Sequence, residues 1–267
     1  MAAPHVPRAA ISFTGGKDSV LALHMVSAKY RATPTGHHRL CSSELNPVVL
    51  VFFRPAGQTD DFKAHAASWT AKIAQSLGIP LVVKQVSATP SYEQGYRCCI
   101  RELAHEYQVE CLVTGDIEDI GEGFMDRAVQ HTGVSLVRPL WKMPRTQVLS
   151  LLACLHIEYV VTMTHLDKLP ASVSERLVGR VISESFLLEQ FDWYDDTHAS
   201  STQQQERRRL RDSVDWAGEY GEMHSMVRDC PLFTHRIVHM GGENRVHTTE
   251  YGSYMYLVPD DVQMIPK

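Results

Sequence analysis

The chain has 267 residues, of which 44% are hydrophobic, 21% charged and 8% aromatic. That is a globular balance, with enough apolar surface to offset chain entropy, so disorder over most of the length is excluded. Its 26 Lys and Arg against 31 Asp and Glu leave a net charge of −5, which excludes a global basic field for gripping nucleic acid. No run reaches the roughly 18–20 apolar residues of a membrane helix, and residues 1–8 lack an apolar stretch of the secretory kind. The expectation is a cytoplasmic protein with no membrane partner, built as one large or two modest domains.

In chain order, residues 9–13 read as a strand and 20–30 as a helix. Residues 47–53 are near-continuously apolar, as a strand buried on both faces should be. Residues 60–77 look helical and end at Gly78, a good C-cap residue. A third strand covers 81–86, a helix 92–107 and a fourth strand 111–114, followed by a Gly115-Asp116 turn. This alternation predicts an α/β fold, a Rossmann-like doubly wound and mostly parallel sheet, over residues 1–135.

The second half changes character, and residues 136–267 are expected to form a smaller α+β lobe that binds substrate. Residues 134–140 read as a short strand, 146–155 as a helix, 159–163 as a strand and 173–190 as a helix. Residues 192–211, with Ser200-Ser201-Thr202-Gln203-Gln204-Gln205 and Arg207-Arg208-Arg209, read as a mobile, solvated insertion. Beyond Asp229 a hairpin is expected: 233–240, a Gly241-Gly242 turn, then 246–258. The six cysteines, among them Cys41, show no Cys-x-x-Cys spacing, which leaves buried free thiols as the reading.

The chemistry sits where the first strand runs into Thr14-Gly15-Gly16-Lys17-Asp18-Ser19 and then a helix. Two glycines let the backbone turn sharply and bring its N–H groups close to an anion. The helix adds uncapped N–H groups and the positive end of its dipole. Lys17 supplies a full charge, and Ser19 can cap the helix or donate to a phosphate oxygen. A Walker loop is excluded, because Ile11 and Asp18 stand where it needs Gly and Ser or Thr. No Gly-x-Gly-x-x-Gly fingerprint is present either.

With Thr in place of Ser at its first position, the hexapeptide resembles the Ser-Gly-Gly-Lys-Asp-Ser signature of the PP-loop ATP pyrophosphatases. Those enzymes cleave ATP between the α- and β-phosphates and activate a carboxylate or carbonyl oxygen as an adenylate. Within that group, Gly218-Glu219-Tyr220-Gly221-Glu222-Met223-His224-Ser225 and Asp229-Cys230-Pro231-Leu232-Phe233 resemble the diphthine–ammonia ligase family. The corresponding stretches of the family read Gly-Glu-Gly-Gly-Glu-(Tyr/Phe)-Glu-(Thr/Ser) and Asp-(Cys/Ala/Met)-Pro-(Leu/Ile)-Phe. Val113-Thr114-Gly115-Asp116-Ile117 and Arg138-Pro139-Leu140-Trp141 add further similarity, in the family's order.

The resemblance implies an amide ligase: ATP, ammonium and the carboxylate of diphthine, a modified histidine of elongation factor 2, give diphthamide, AMP and pyrophosphate. It implies ATP binding by Thr14, Gly15, Gly16, Lys17, Asp18, Ser19, Gly115 and Asp116, with Lys17 and Asp18 catalytic. Asp18 would hold Mg²⁺ or brace the loop. Glu219 and Glu222 would orient ammonium or take its protons. Arg127, Trp141, Tyr220, Gly221 and His224 fall in the acceptor-binding set.

Tyr220 departs from the family's Gly, and His224 from its Glu. A Tyr-Gln-Arg cluster after Gly115-Asp116 is replaced by Ile120-Gly121-Glu122-Gly123-Phe124-Met125-Asp126-Arg127, which keeps the Arg. After Trp141, Lys142-Met143-Pro144-Arg145 intervenes where the family has a polar residue and Arg. These departures leave open a paralogue that amidates another, small carboxylate. A PP-loop tRNA-modifying enzyme would bring Cys-x-x-Cys pairs or a basic domain, and neither is present. A nucleotide-binding relic without turnover is the remaining class. His24 reads as packed or surface, His131, His165 and His239 receive no role, and Mg²⁺ travelling with ATP is the one metal expected.

Overall fold

The computed structural model describes residues 5–27, 44–58, 63–182 and 215–267. The chain divides into two units, Met1–Asp61 with Ala67–Met143, and Phe62–Ala66 with Pro144–Lys267.

The first unit runs β1 (Arg8–Ser12), α1 (Lys17–Val26), β2 (Asn46–Pro55), α2 (Ala67–Leu77), β3 (Leu81–Val86), α3 (Tyr92–Tyr107), β4 (Cys111–Val113), α4 (Phe124–Val129) and β5 (Ser135–Val137). Its five strands form one all-parallel sheet in the order β3-β2-β1-β4-β5. The fold is therefore α/β with Rossmann-like strand order. Ala9, Ala10 and Ile11 are fully buried because β1 is central and covered on both faces. Ala10, Val49, Val51 and Phe53 pack with Ile100 and Leu103 of α3 and Ala128 of α4. Strand alternation turns Ile11, Leu50 and Phe52 to the opposite face.

Local sequence explains the ends. Ser91 caps α3 by accepting from the Gln94 N–H at 3.2 Å, and Gly78 follows α2 at φ +68°. The first helix begins at Lys17, directly from the glycine pair, and not at Val20; its C-cap Ser27 is extended. The second begins at Ala67, because residues 63–66 leave unit one to join the other unit. The strand expected over 134–140 is three residues long and is the fifth strand of the parallel sheet. Pro139 has no N–H for a ladder, and Trp141 N–H closes a turn onto the Arg138 carbonyl at 3.2 Å.

The second unit holds α5 (Arg145–Cys154), β6 (Glu158–His165), α6 (Ala171–Leu177), β7 (Val181–Ile182), β8 (Met223–Asp229), β9 (His235–Met240), β10 (Glu243–Thr249), β11 (Gly252–Val258) and β12 (Asp261–Pro266). Strand β6 pairs antiparallel with β8, β7 and β11, and β11 with β10; β9 and β12 form a separate antiparallel pair. The helix expected over 173–190 stops at Leu177, because Gly179 takes φ +83° and its N–H bonds to the Val161 carbonyl of β6 at 2.8 Å. The expected hairpin is also displaced. Gly241-Gly242 joins strands of different sheets, and the hairpin is β10–β11, turning between Thr249 and Gly252. Strand β9 pairs instead with β12, in register from His235↔Pro266 to Met240↔Asp261.

Of the cysteines described, Cys99, Cys111 and Cys230 are buried, whereas Cys98 and Cys154 are exposed. The insertion at 192–211 with its Arg run, Tyr30, Cys41 and the ends of three expected helices lie outside the described residues. Among the described residues no helix is long and apolar enough to cross a membrane.

Candidate phosphate-binding loop and glutamate turn

In the first unit the chain steps outward from β1 to β2 and β3, then returns to place β4 on the other side of β1. The carboxyl ends of β1 and β4 therefore flank a topological switch point, where open α/β sheets bind ligands. Strand β1 leads there into Thr14–Ser19, and β4 into Thr114-Gly115-Asp116.

The loop is held from both sides. Phe13 N–H bonds to the Val51 carbonyl at 2.8 Å, and Thr70 Oγ1 of α2 donates to the Thr14 carbonyl at 2.8 Å. Gly15 takes φ +82°, a left-handed turn that favours glycine, and Gly16 N–H points to Thr14 Oγ1 at 3.4 Å. Gly16 is the N-cap of α1, and no side chain caps that end. Ser19 Oγ donates to the Gly16 carbonyl at 2.9 Å, so its hydroxyl braces the loop. Gly115 lies against α1: a Cβ there would sit 2.8 Å from Asp18 C and 3.0 Å from Ser19 N. The signature loop and Gly115 are thus brought together.

Lys17, the first residue of α1, is 3% exposed, and its Nζ donates to Asp18 Oδ2 at 2.7 Å. The other Asp18 oxygen, Oδ1, is buried without a hydrogen-bond partner. Two residues beyond Thr114, Asp116 accepts from Thr114 Oγ1 at 2.7 Å. Burial pushes the Asp116 carboxyl above the usual carboxylate range, against the Thr114 hydrogen bond and the Arg138 charge, which pull it down.

Arg127 and Trp141 belong to this unit too. The Arg127 guanidinium is matched by Glu93 at 2.9 Å and also donates to the Glu122 carbonyl. Trp141 lies under the Arg138 guanidinium, 3.8 Å from the ring centre, and Arg138 grips Asp126 with two bonds of 2.9 Å. Sequence reasoning did not single out Arg138 as a site residue, though it opens the Arg-Pro-Leu-Trp motif, nor Thr70, which no local pattern marks.

In the second unit the glutamate motif is a turn followed by a strand. Gly218 and Gly221 take φ +73° and +80°, and Gly221 N–H closes onto the Gly218 carbonyl at 3.1 Å. A Cβ at Gly218 would meet the Met223 carbonyl oxygen at 2.7 Å. Glu219 is half-buried, whereas Tyr220 is 51% exposed, its ring centre 5.8 Å from the Arg145 guanidinium. Lys168 Nζ donates to the Tyr220 carbonyl. Glu222 is 6% exposed, its carbonyl accepts from His165 N–H at 2.9 Å, and its Oε2 is buried without a partner. His224 and Ser225 lie on β8, not in a loop. His224 packs edge-on to His65, ring centres 5.4 Å apart. His65 was hidden from sequence reasoning because residues 63–66 read as part of a helix.

No protein-family model and no curated protein matches the chain.

Proposed function

We propose that the protein is an ATP-dependent carboxylate–ammonia ligase of the PP-loop type, resembling diphthine–ammonia ligase. The observation that carries the proposal is Lys17: a lysine 3% exposed at the first residue of an uncapped helix. Its Nζ pairs with Asp18 Oδ2 at 2.7 Å, while the positive end of the helix dipole beside it is unfavourable for a cation. A bound anion reverses that balance, because it meets the ammonium, the loop N–H groups and the dipole together. Placement at a strand-order switch point supports a nucleotide as that anion.

In this reading the loop backbone and Lys17 hold the phosphates, and charge that develops as pyrophosphate leaves is met by donors already in position. An acceptor carboxylate oxygen attacks the α-phosphorus, and the bond to the bridging oxygen of the β-phosphate breaks. The acyl adenylate then has AMP as its leaving group in place of oxide. Asp18 fits Mg²⁺, since Oδ1 is a hard oxygen donor, buried and unpartnered. Mg²⁺ bound there would neutralise phosphate charge. The resemblance gives Glu222, whose Oε2 is buried and unpartnered, the role of taking a proton from ammonium, so that ammonia attacks the acyl carbon and AMP departs. Glu219, Tyr220, Gly221, His224, Arg127 and Trp141 remain assigned to the acceptor side by resemblance alone. The exposed Tyr220, where the family has Gly, favours a paralogue with a different carboxylate as the second reading.

The deciding experiment measures pyrophosphate release from ATP with ammonium, with diphthine-bearing elongation factor 2 or a panel of small carboxylic acids. Release with AMP formation only with the factor assigns diphthamide synthesis, and release only with a small acid assigns the paralogue. ATP binding without release across the whole panel refutes the ligase.

A further inference from the structure

Residues 63–66 lie on one face of the second unit's sheet: Thr162 Oγ1 of β6 donates to the Ala64 carbonyl at 2.6 Å. Strand alternation puts His224 and Met226 of β8 on the same face of that strand. Register places Met163 of β6 opposite His224. His65 reaches onto this face. Its Nδ1 donates to Met226 Sδ at 3.4 Å, and its ring meets that of His224 at 5.4 Å, with the planes at 83°.

The two separations made by His65, to Met226 Sδ and to the His224 ring, are those of ligands sharing one ion. Metal–nitrogen and metal–sulfur bonds of about 2.0 and 2.3 Å at a near-tetrahedral angle set N and S about 3.5 Å apart. Two imidazoles on the same ion put their ring centres about 5.3 Å apart. Met226 is fully buried, whereas His65 and His224 are half-buried, which leaves the site open for an ion to enter. Among the described residues, no three His, Cys, Asp or Glu side chains gather as a metal site. The third donor here is a thioether, a soft ligand that with imidazoles suits Cu(I) and not the hard, oxygen-seeking magnesium.

The geometry points to a Cu(I) site formed by His65, His224 and Met226. On binding, the His65 Nδ1 proton moves to Nε2, so the ring stays neutral and Nδ1 presents its lone pair; no electron is transferred. The site shares His224 with the acceptor set given above by resemblance, but its titration needs neither ATP nor an acceptor, so its outcome is read separately from that of the ligase test.

The test is anaerobic titration of the full chain with Cu(I) against a chromophoric Cu(I) chelator, after accessible thiols are capped with N-ethylmaleimide. One equivalent is expected to bind. Removal of an outer-shell partner weakens metal sites about 10–100-fold, so His65→Gln, His224→Gln and Met226→Leu should each weaken binding by about 100-fold. Circular dichroism and urea unfolding establish that each variant is folded. X-ray absorption of the loaded protein should show nitrogen and sulfur ligands, with the sulfur shell lost in Met226→Leu. An equivalent that all three variants retain, a site no tighter than the chelator, or a sulfur shell surviving in Met226→Leu would overturn the assignment.

Discussion

Gly115→Ala tests the junction between β4 and the signature loop. The new Cβ would stand 2.8 Å from Asp18 C, 3.0 Å from Asp18 O and 3.0 Å from Ser19 N. All three are backbone atoms, so no side-chain rotation relieves the contact. Ordinary contact begins at 3.4 Å, so the strand end and the first turn of α1 must separate by about 0.6 Å. Overpacking of this kind costs about 2 kcal/mol. With a urea slope of about 2 kcal/mol/M, the unfolding midpoint should fall by about 1 M. The same displacement moves Asp18 and the loop N–H groups. A misplacement of about 1 Å is worth about 100-fold in rate, so pyrophosphate release should fall by roughly tenfold or more. Urea unfolding followed by tryptophan fluorescence, with isothermal titration of ATP, reads both effects. An unchanged midpoint would refute the close approach itself. A lowered midpoint with unchanged ATP affinity and turnover would refute the loop as the phosphate site.

Lys17→Met keeps the volume of a buried side chain and removes its charge; pyrophosphate release should fall by about 100–1000-fold, as for loss of one preorganised donor, measured under ATP saturation. Glu222→Gln should lower amide formation at least tenfold while ATP affinity changes less than about twofold, since the loss falls on proton transfer; equal losses in both would mark a structural glutamate. Asp116→Asn should stabilise the protein at pH 7 yet reduce turnover. Its carboxyl is raised above the ordinary 3.8, so between those two values the folded state binds more protons than the unfolded one. Stability therefore falls as pH rises through that window, and the variant's advantage in urea midpoint should vanish below pH 3.8. Finally, burial pushes the Cys230 thiol up to about 12, which leaves roughly one thiolate in ten thousand at pH 8. Maleimide labelling of the native protein at pH 8, mapped by peptide mass spectrometry, should modify the exposed Cys98 and spare Cys230.

The first unit was largely legible because its signals are local. Strand β1, the glycine loop and α1 are contiguous, and the helix expected over 92–107 is α3 to both ends, where Ser91 caps it. Helix α4 was missed: six residues after Gly121 and Gly123 carry too short a pattern to register. The membership of β5 in the parallel sheet could not be read either, since pairing of Leu112 with Leu136 leaves no periodic trace. In the second unit Gly241-Gly242 resembles a hairpin turn, but what decides is the distant run Asp261–Pro266, which pairs with β9. At the candidate site the loop and both glutamates were legible from their motifs. The close approach of Gly115 to Asp18, and that of His65 to Met226, are made between segments far apart in sequence. Only folding brings them within reach.

The crossing of Phe62–Ala66 between units has a consequence for vectorial synthesis. When the ribosome has released residues 1–143, every strand of the parallel sheet is available and can pair. The short crossing segment must wait: its partners Thr162, His224 and Met226 have not been translated. Until then the Ala64 carbonyl lacks the Thr162 hydroxyl and the His65 ring lacks Met226 and His224. A fragment ended at Met143 would keep that condition permanently, displaying an orphaned patch of the other unit. Separation of the units for expression thus calls for replacing this segment, not merely for a stop codon after the first unit.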